Sequence, residues 1–157
     1  AGVSRGALLH HFPTHATLLS ATVAELVRHN ETAVQESLAA LKGTVDATER
    51  AIRVLAIAST RPAYMAELEL WAVARTDPEL RVALLQAERG ARKDSERVLK
   101  TLFSTTQDRP AHAAVIAMTS EFMRGLAVSS VLRSPVRRQQ LVAQWINAAR
   151  VLLEELH

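Results

Sequence analysis

Arg5, His10, His11 and His15 cluster near the start of the chain, in the stretch AGVSRGALLHHFPTHATLL. Ser4 can cap a short helix by accepting an orphan backbone N–H. The N–H groups and the positive dipole end of such a helix suit a phosphate. Arg5 can pair bidentately with a guanine edge, and Gly6 and Ala7 are small enough to let the backbone approach. Leu8 and Phe12, four apart, share one face and point inward. Gly2 suits a turn before the helix, where a positive φ is expected, and Val3 would anchor that turn. The three histidines also invite a metal reading. Pro13, however, breaks the helix between His11 and His15 and spoils the i,i+4 geometry of a two-histidine site, so no metal is expected. Imidazole catalysis needs an oriented partner and a pocket, and the neighbouring sequence offers neither.

Helices must position these groups. The prolines at 13, 62, 78, 110 and 135 punctuate the chain, each followed by a helical pattern, as fits proline in a first turn. Asp77-Pro78-Glu79 and Ser134-Pro135 are cap-then-proline signatures. Asp46 with Glu49 three residues later resembles a capping box. The pattern predicts helices over 4–11, 14–41, 46–59, 62–75, 78–103, 110–132 and 135–156. No stretch shows sustained period-two alternation, so the expected fold is all-α.

Composition narrows the function classes. The chain has 157 residues, 48% of them apolar and 4% aromatic, with a net charge of +3. That is one domain with a core, or one domain and part of another. The mild basicity permits an anionic partner without requiring one. Without cysteine there are no disulfides or thiolate sites, which suits a reducing cytoplasm. No unbroken apolar run approaches the ~20 residues of a membrane helix, and the start lacks the pattern of a secretory signal. Nucleophile–base pairs, Gly-rich phosphate loops, His-Glu-x-x-His and paired catalytic carboxylates are missing. An enzyme is therefore not expected, and no cofactor is.

The opening stretch resembles the recognition helix and following linker helix of TetR/AcrR transcriptional regulators. That family shows Gly-Val-Ser-x-Gly-x-Leu-Tyr-x-His-Phe, a short loop, then Lys-x-x-Leu. Gly2, Val3, Ser4, Gly6, Leu8, His11, Phe12 and Leu18 match. ELELWAVARTDPELRVALL, residues 67–85, resembles the family's regulatory-domain turn. Two positions depart. The usual Tyr is Leu9, and the usual Lys is His15, which makes a fixed charge titratable. The resemblance implies that Ser4, His11 and His15 hold phosphates while Arg5, Gly6, Ala7 and His10 face the major groove. It divides the chain into residues 1–41, the end of a helix-turn-helix domain plus linker helix, and 42–157, a regulatory and dimerisation domain. It also implies about 30–45 residues of bracing helices ahead of this point, without which the chain would hold DNA poorly.

The implied function is a ligand-responsive repressor, homodimeric and cytoplasmic, that binds palindromic operator DNA and is released by a small apolar or amphipathic effector. The alternative is a helical dimeric ligand-binding or interaction module that does not touch DNA. Tyr64, Met65, Leu68, Trp71, Met118 and Phe122 are the expected pocket lining, with Glu67, Glu69, Glu121 and His112 as candidate polar walls. Segment 111–132 is apolar almost all the way round, and 135–156 carries a broad apolar stripe. A helix of that kind is buried on more than one side. Val128, Val131, Leu141, Trp145 and Leu152 are therefore expected at a two-fold interface in which the last two helices of each chain form a four-helix bundle.

Overall fold

The computed structural model describes residues 15–41, 46–103 and 110–155. The expected recognition helix, 4–11, lies outside them. Among the described residues the regular structure is helical throughout: α1 (His15–Ala40), α2 (Ala47–Ala58), α3 (Pro62–Ala74), α4 (Pro78–Leu102), α5 (Pro110–Val128) and α6 (Pro135–Glu155). The fold is all-α. Each of α3 to α6 starts on a proline, whose missing N–H costs a helix nothing in its first turn. The predicted caps are made. Asp46 Oδ1 accepts from Glu49 N at 2.9 Å, Asp77 Oδ1 from Leu80 N at 3.0 Å, and Ser134 Oγ from Arg137 N at 3.2 Å.

One boundary differs. The helix expected to run to 132 ends at Val128 and tightens into a 3₁₀ turn, Ser129–Leu132. Ser129 Oγ donates to Leu126 O at 3.5 Å, the local side-chain bond by which serine competes with the helical ladder.

Two apolar clusters organise the packing. The larger joins Ile52 and Val54 of α2, Leu102 and Phe103 at the end of α4, Val115, Met123 and Leu126 of α5, and Val142, Ile146 and Ala149 of α6. The smaller joins Val23 of α1, Ala74 of α3, and Leu80 and Leu84 of α4, with Trp71 packed against it. Helices α1 and α4 are long enough, at 26 and 25 residues, to serve both.

Segment Pro110–Leu132 has a window of mean hydropathy 1.3, long and apolar enough to cross a membrane by length and composition. The fold accounts for part of that apolarity. Ala111, Val115, Thr119, Met123, Leu126 and Ala127 face the core. Thr119 can be buried because its Oγ1 donates to Val115 O at 2.7 Å and accepts from Trp145 Nε1 at 3.0 Å. Phe122 stacks on Trp145, with ring centroids 5.5 Å apart. The opposite side is open: Met118, Val128, Val131 and Leu132 on this segment, and Val136 and Val151 on α6, are exposed.

Polar ties fasten α6 to α2. Arg138 Nη2 donates to Ala56 O and, at 2.9 Å, to Ser59 Oγ. Arg150 pairs with both Asp46 and Glu49. The Glu49 N–H, and then Arg150, hold the Asp46 carboxyl below its usual range. Arg53, and then Arg150, do the same for Glu49. Groups with depressed values stabilise the fold above the unfolded carboxylate range, and that contribution fades as acid titrates them. Asp46→Ala should therefore cost about 1 kcal/mol at neutral pH, the typical worth of an N-cap, read by urea denaturation. The gap to the unsubstituted protein should narrow as pH falls below about 4; an equal gap at both pH values would count against the Asp46 ties.

Candidate functional site

The two apolar clusters do not meet along α1. The inward positions 23, 27, 30, 34, 37 and 41 follow a four–three spacing, which keeps one helix face in register. Val23 belongs to the smaller cluster, while Val34 and Leu41 pack on the larger. Asn30 interrupts the apolar run between them. On α4, Glu88 and Ser95 fall between Leu84 of one cluster and Leu102 of the other. A cavity of about 210 Å³ opens in this interval.

Five helices build its wall. Val27, Asn30, Glu31 and Val34 come from α1, Leu55 and Ala58 from α2, and Tyr64 and Glu67 from α3. Glu88, Ser95, Val98 and Leu99 come from α4, and Ser120, Met123 and Arg124 from α5, with Ser59 completing it. Apolar walls with a few converging polar groups are the usual composition of a small-molecule site.

The polar groups are mutually arranged. Asn30 Nδ2 donates to Glu67 Oε2, joining α1 to α3. Asn30 Oδ1 is buried with no donor among the described residues. Burial, and then the neighbouring charge of Glu88, push the Glu67 carboxyl above its usual range, with Arg124 and Asn30 opposing. Burial also pushes the Tyr64 phenol up to about 12, against the opposing charge of Arg124. Arg124 is anchored twice: it pairs with Glu121, and its guanidinium lies 4.7 Å from the centroid of the Trp71 ring, within cation–π range.

Of the expected pocket residues, Tyr64 lines this cavity and Met65, Leu68, Trp71, Met118 and Phe122 do not. Phase alone does not separate them: Leu68 and Trp71, four and seven residues on from Tyr64, share its side of α3, and Trp71 lies about two turns farther along the helix axis. Trp71 instead packs on the smaller cluster, Phe122 is stacked on Trp145, and Met118 is half exposed on the outer side of α5. Of the candidate polar walls, Glu67 is in place. Glu69 and Glu121 are exposed, and His112 lies elsewhere, its Nδ1 buried without a partner among the described residues. Asn30, Glu88 and Arg124 were not foreseen; the signal for Asn30 was an amide at an inward position of α1, between Val27 and Val34. Ser4, Arg5, Gly6, Ala7, His10 and His11 lie outside the described residues, and His15 opens α1. Val128 and Val131 are exposed, whereas Leu141, Trp145 and Leu152 are partly buried against the chain's own larger cluster.

The chain is 31% identical over 143 residues to the HTH-type transcriptional regulator CymR of Pseudomonas putida, covering 90% of this chain and 70% of that protein. It belongs to the HTH-type transcriptional regulators. No family model matches the chain, and no solved structure matches it significantly.

A carboxyl whose value is raised on folding contributes stability below its ordinary range and loses it as pH rises through the folded value. Ionised Glu67 therefore weighs on the fold at neutral pH. Glu67→Gln, which keeps an acceptor for Asn30, should raise Tm by about 2–4 °C at pH 7.5 and by nothing near pH 4, as read by calorimetry. A drop at pH 7.5 would show that the charge is needed for folding. This chain of 157 residues has a single tyrosine, so its phenolate absorbance reports Tyr64 alone. It should stay absent from the folded protein at pH 10–11 and appear only near pH 12.

Proposed function

We propose that this regulator is a TetR/AcrR-type repressor, homodimeric and cytoplasmic, that binds palindromic operator DNA and is released by a small molecule seated in the helical cavity. One observation carries the reading. Helix α1, which follows directly on the stretch resembling a recognition helix, supplies Val27, Asn30, Glu31 and Val34 to the cavity wall. A ligand there touches the helix that the DNA-reading segment is attached to. It can oppose operator binding if it favours a placement of α1 that the operator-bound form disfavours, and linkage makes the opposition mutual.

In this reading Ser4, His11 and His15 hold phosphates, and Arg5, Gly6, Ala7 and His10 face the groove. Neutralised phosphates make the affinity fall steeply with salt. The dimer is built from α5 and α6. Exposed Val128, Val131, Leu132 and Val136 form an apolar run at the α5–α6 turn, and a two-fold partner covers such a run with its own copy.

Selection from random DNA with the natural full-length protein should return a palindrome whose half-sites are about one helical turn, ~34–36 Å, or a multiple apart. A single asymmetric site, or no enrichment, would sink the operator reading. Sedimentation should give twice the mass of one chain. Val128→Asp with Val131→Asp should give monomers of unchanged helical content that no longer hold the palindrome; a persisting dimer would place the interface elsewhere.

A further inference from the structure

The polar part of the cavity wall carries two carboxylates from different helices, Glu67 of α3, partly buried, and Glu88 of α4, exposed. Burial raises the Glu67 carboxyl, and the charge of Glu88 adds to it. A partly buried carboxylate beside a second negative charge is relieved by a nearby cation. Glu31 adds a third carboxylate to the wall. The cation in the wall, Arg124, is already held by Glu121 and by the face of Trp71. A separate observation points the same way: Asn30 spends its amide N–H on Glu67 and leaves Oδ1 buried without a donor among the described residues. Every one of these features calls for a donor with positive charge.

Other occupants fit less well. An added carboxylate would be a fourth acid among three. A neutral alcohol has one O–H to offer. A quaternary ammonium has no N–H for Asn30. Among the described residues no group of three or more His, Cys, Asp or Glu side chains converges to hold a metal ion. The volume, about 210 Å³, exceeds the ~150 Å³ apolar cavity that accommodates benzene, leaving room for one ring and a short arm.

Resting on the reading of this cavity as the effector site, we propose that its ligand is a primary organic amine with a single-ring apolar body. The ammonium sits among Glu67, Glu88 and Asn30 Oδ1, and the ring lies against Val34, Leu55 and Met123. The groups facing Glu67 are Asn30 and Glu31 from α1, Tyr64 on its own helix, Glu88 from α4 and Arg124 from α5. Protons compete with the ammonium for the Glu67 carboxylate, so amine affinity falls on acidification.

The test is calorimetric titration of the full-length regulator at pH 7.5 with three isosteric probes: 2-phenylethylamine, 2-phenylethanol and 3-phenylpropanoate, each to millimolar concentration. The amine should bind about tenfold or more tightly than either other probe, as a charge-assisted hydrogen-bonded contact would. Glu67→Gln should erase that preference while 2-phenylethanol still binds, which shows the variant to be folded. In the unsubstituted protein amine affinity should drop between pH 7.5 and 5.5. Equal or tighter binding of 3-phenylpropanoate, or amine binding undiminished in Glu67→Gln, overturns the amine class and leaves the effector cavity standing. Binding of none of the three probes overturns the cavity as an effector site and the amine with it.

Discussion

A carboxylate that leaves bulk water must find donors or a countercharge, and in this molecule Glu67 is the group under that constraint. Burial raises its cost, Glu88 adds to it, and Asn30 and Arg124 relieve it. The two helpers come from α1 and α5, so meeting the demands of one side chain draws two helices toward a third. The apolar clusters on either side could have merged into a single continuous core. Polar residues on the inward faces of α1 and α4 prevent it, and leave a cavity where close packing would otherwise be expected. Buried polar groups of this kind cost stability unless fully satisfied. Such groups in the middle of a helical domain are what the proposed effector site requires.

The contacts around the cavity reach both ends of the described chain. Toward the N-terminal side, the Asn30–Glu67 bond ties the wall to α1. Toward the C-terminal side, Ser59, itself part of the wall, accepts from Arg138 near the start of α6. That arginine also donates to Ala56 O at the C-terminal end of α2, a carbonyl that Ser59 Oγ caps as well. A change in the wall thus meets α1 through one hydrogen bond and α6 through another. Energetic coupling requires two discrete arrangements of such elements rather than mere adjacency; the contacts describe where those arrangements would differ.

Much of the helical organisation was legible in residue order because its causes are local. Proline's missing N–H marks a first turn wherever it stands, and Asp46, Asp77 and Ser134 cap through their own short side chains. The exception, α5 ending at Val128, came from serine hydroxyls competing with the backbone, a preference weaker than proline's and easily overridden. The site was less legible. Tyr64 was named among the pocket lining and Glu67 among the polar walls, and both line the cavity. Trp71, Met118 and Phe122 drew attention for being large, yet size says nothing about which partner a side chain meets. Trp71 was taken by Arg124 and the smaller cluster, and Phe122 by Trp145.

By itself the sequence determined the all-α class and the starts of α3 to α6. Each rests on neighbours a few positions apart, where covalent geometry limits the choices. Only the tertiary structure decided that Asn30, Glu67, Glu88 and Arg124, from four helices, meet at one cavity. It also decided which apolar faces of α5 and α6 the chain covers for itself and which it leaves at Val128, Val131 and Leu132. Those outcomes depend on how long helices cross and at what phase they face one another, and residue spacing along a single helix carries no information about either.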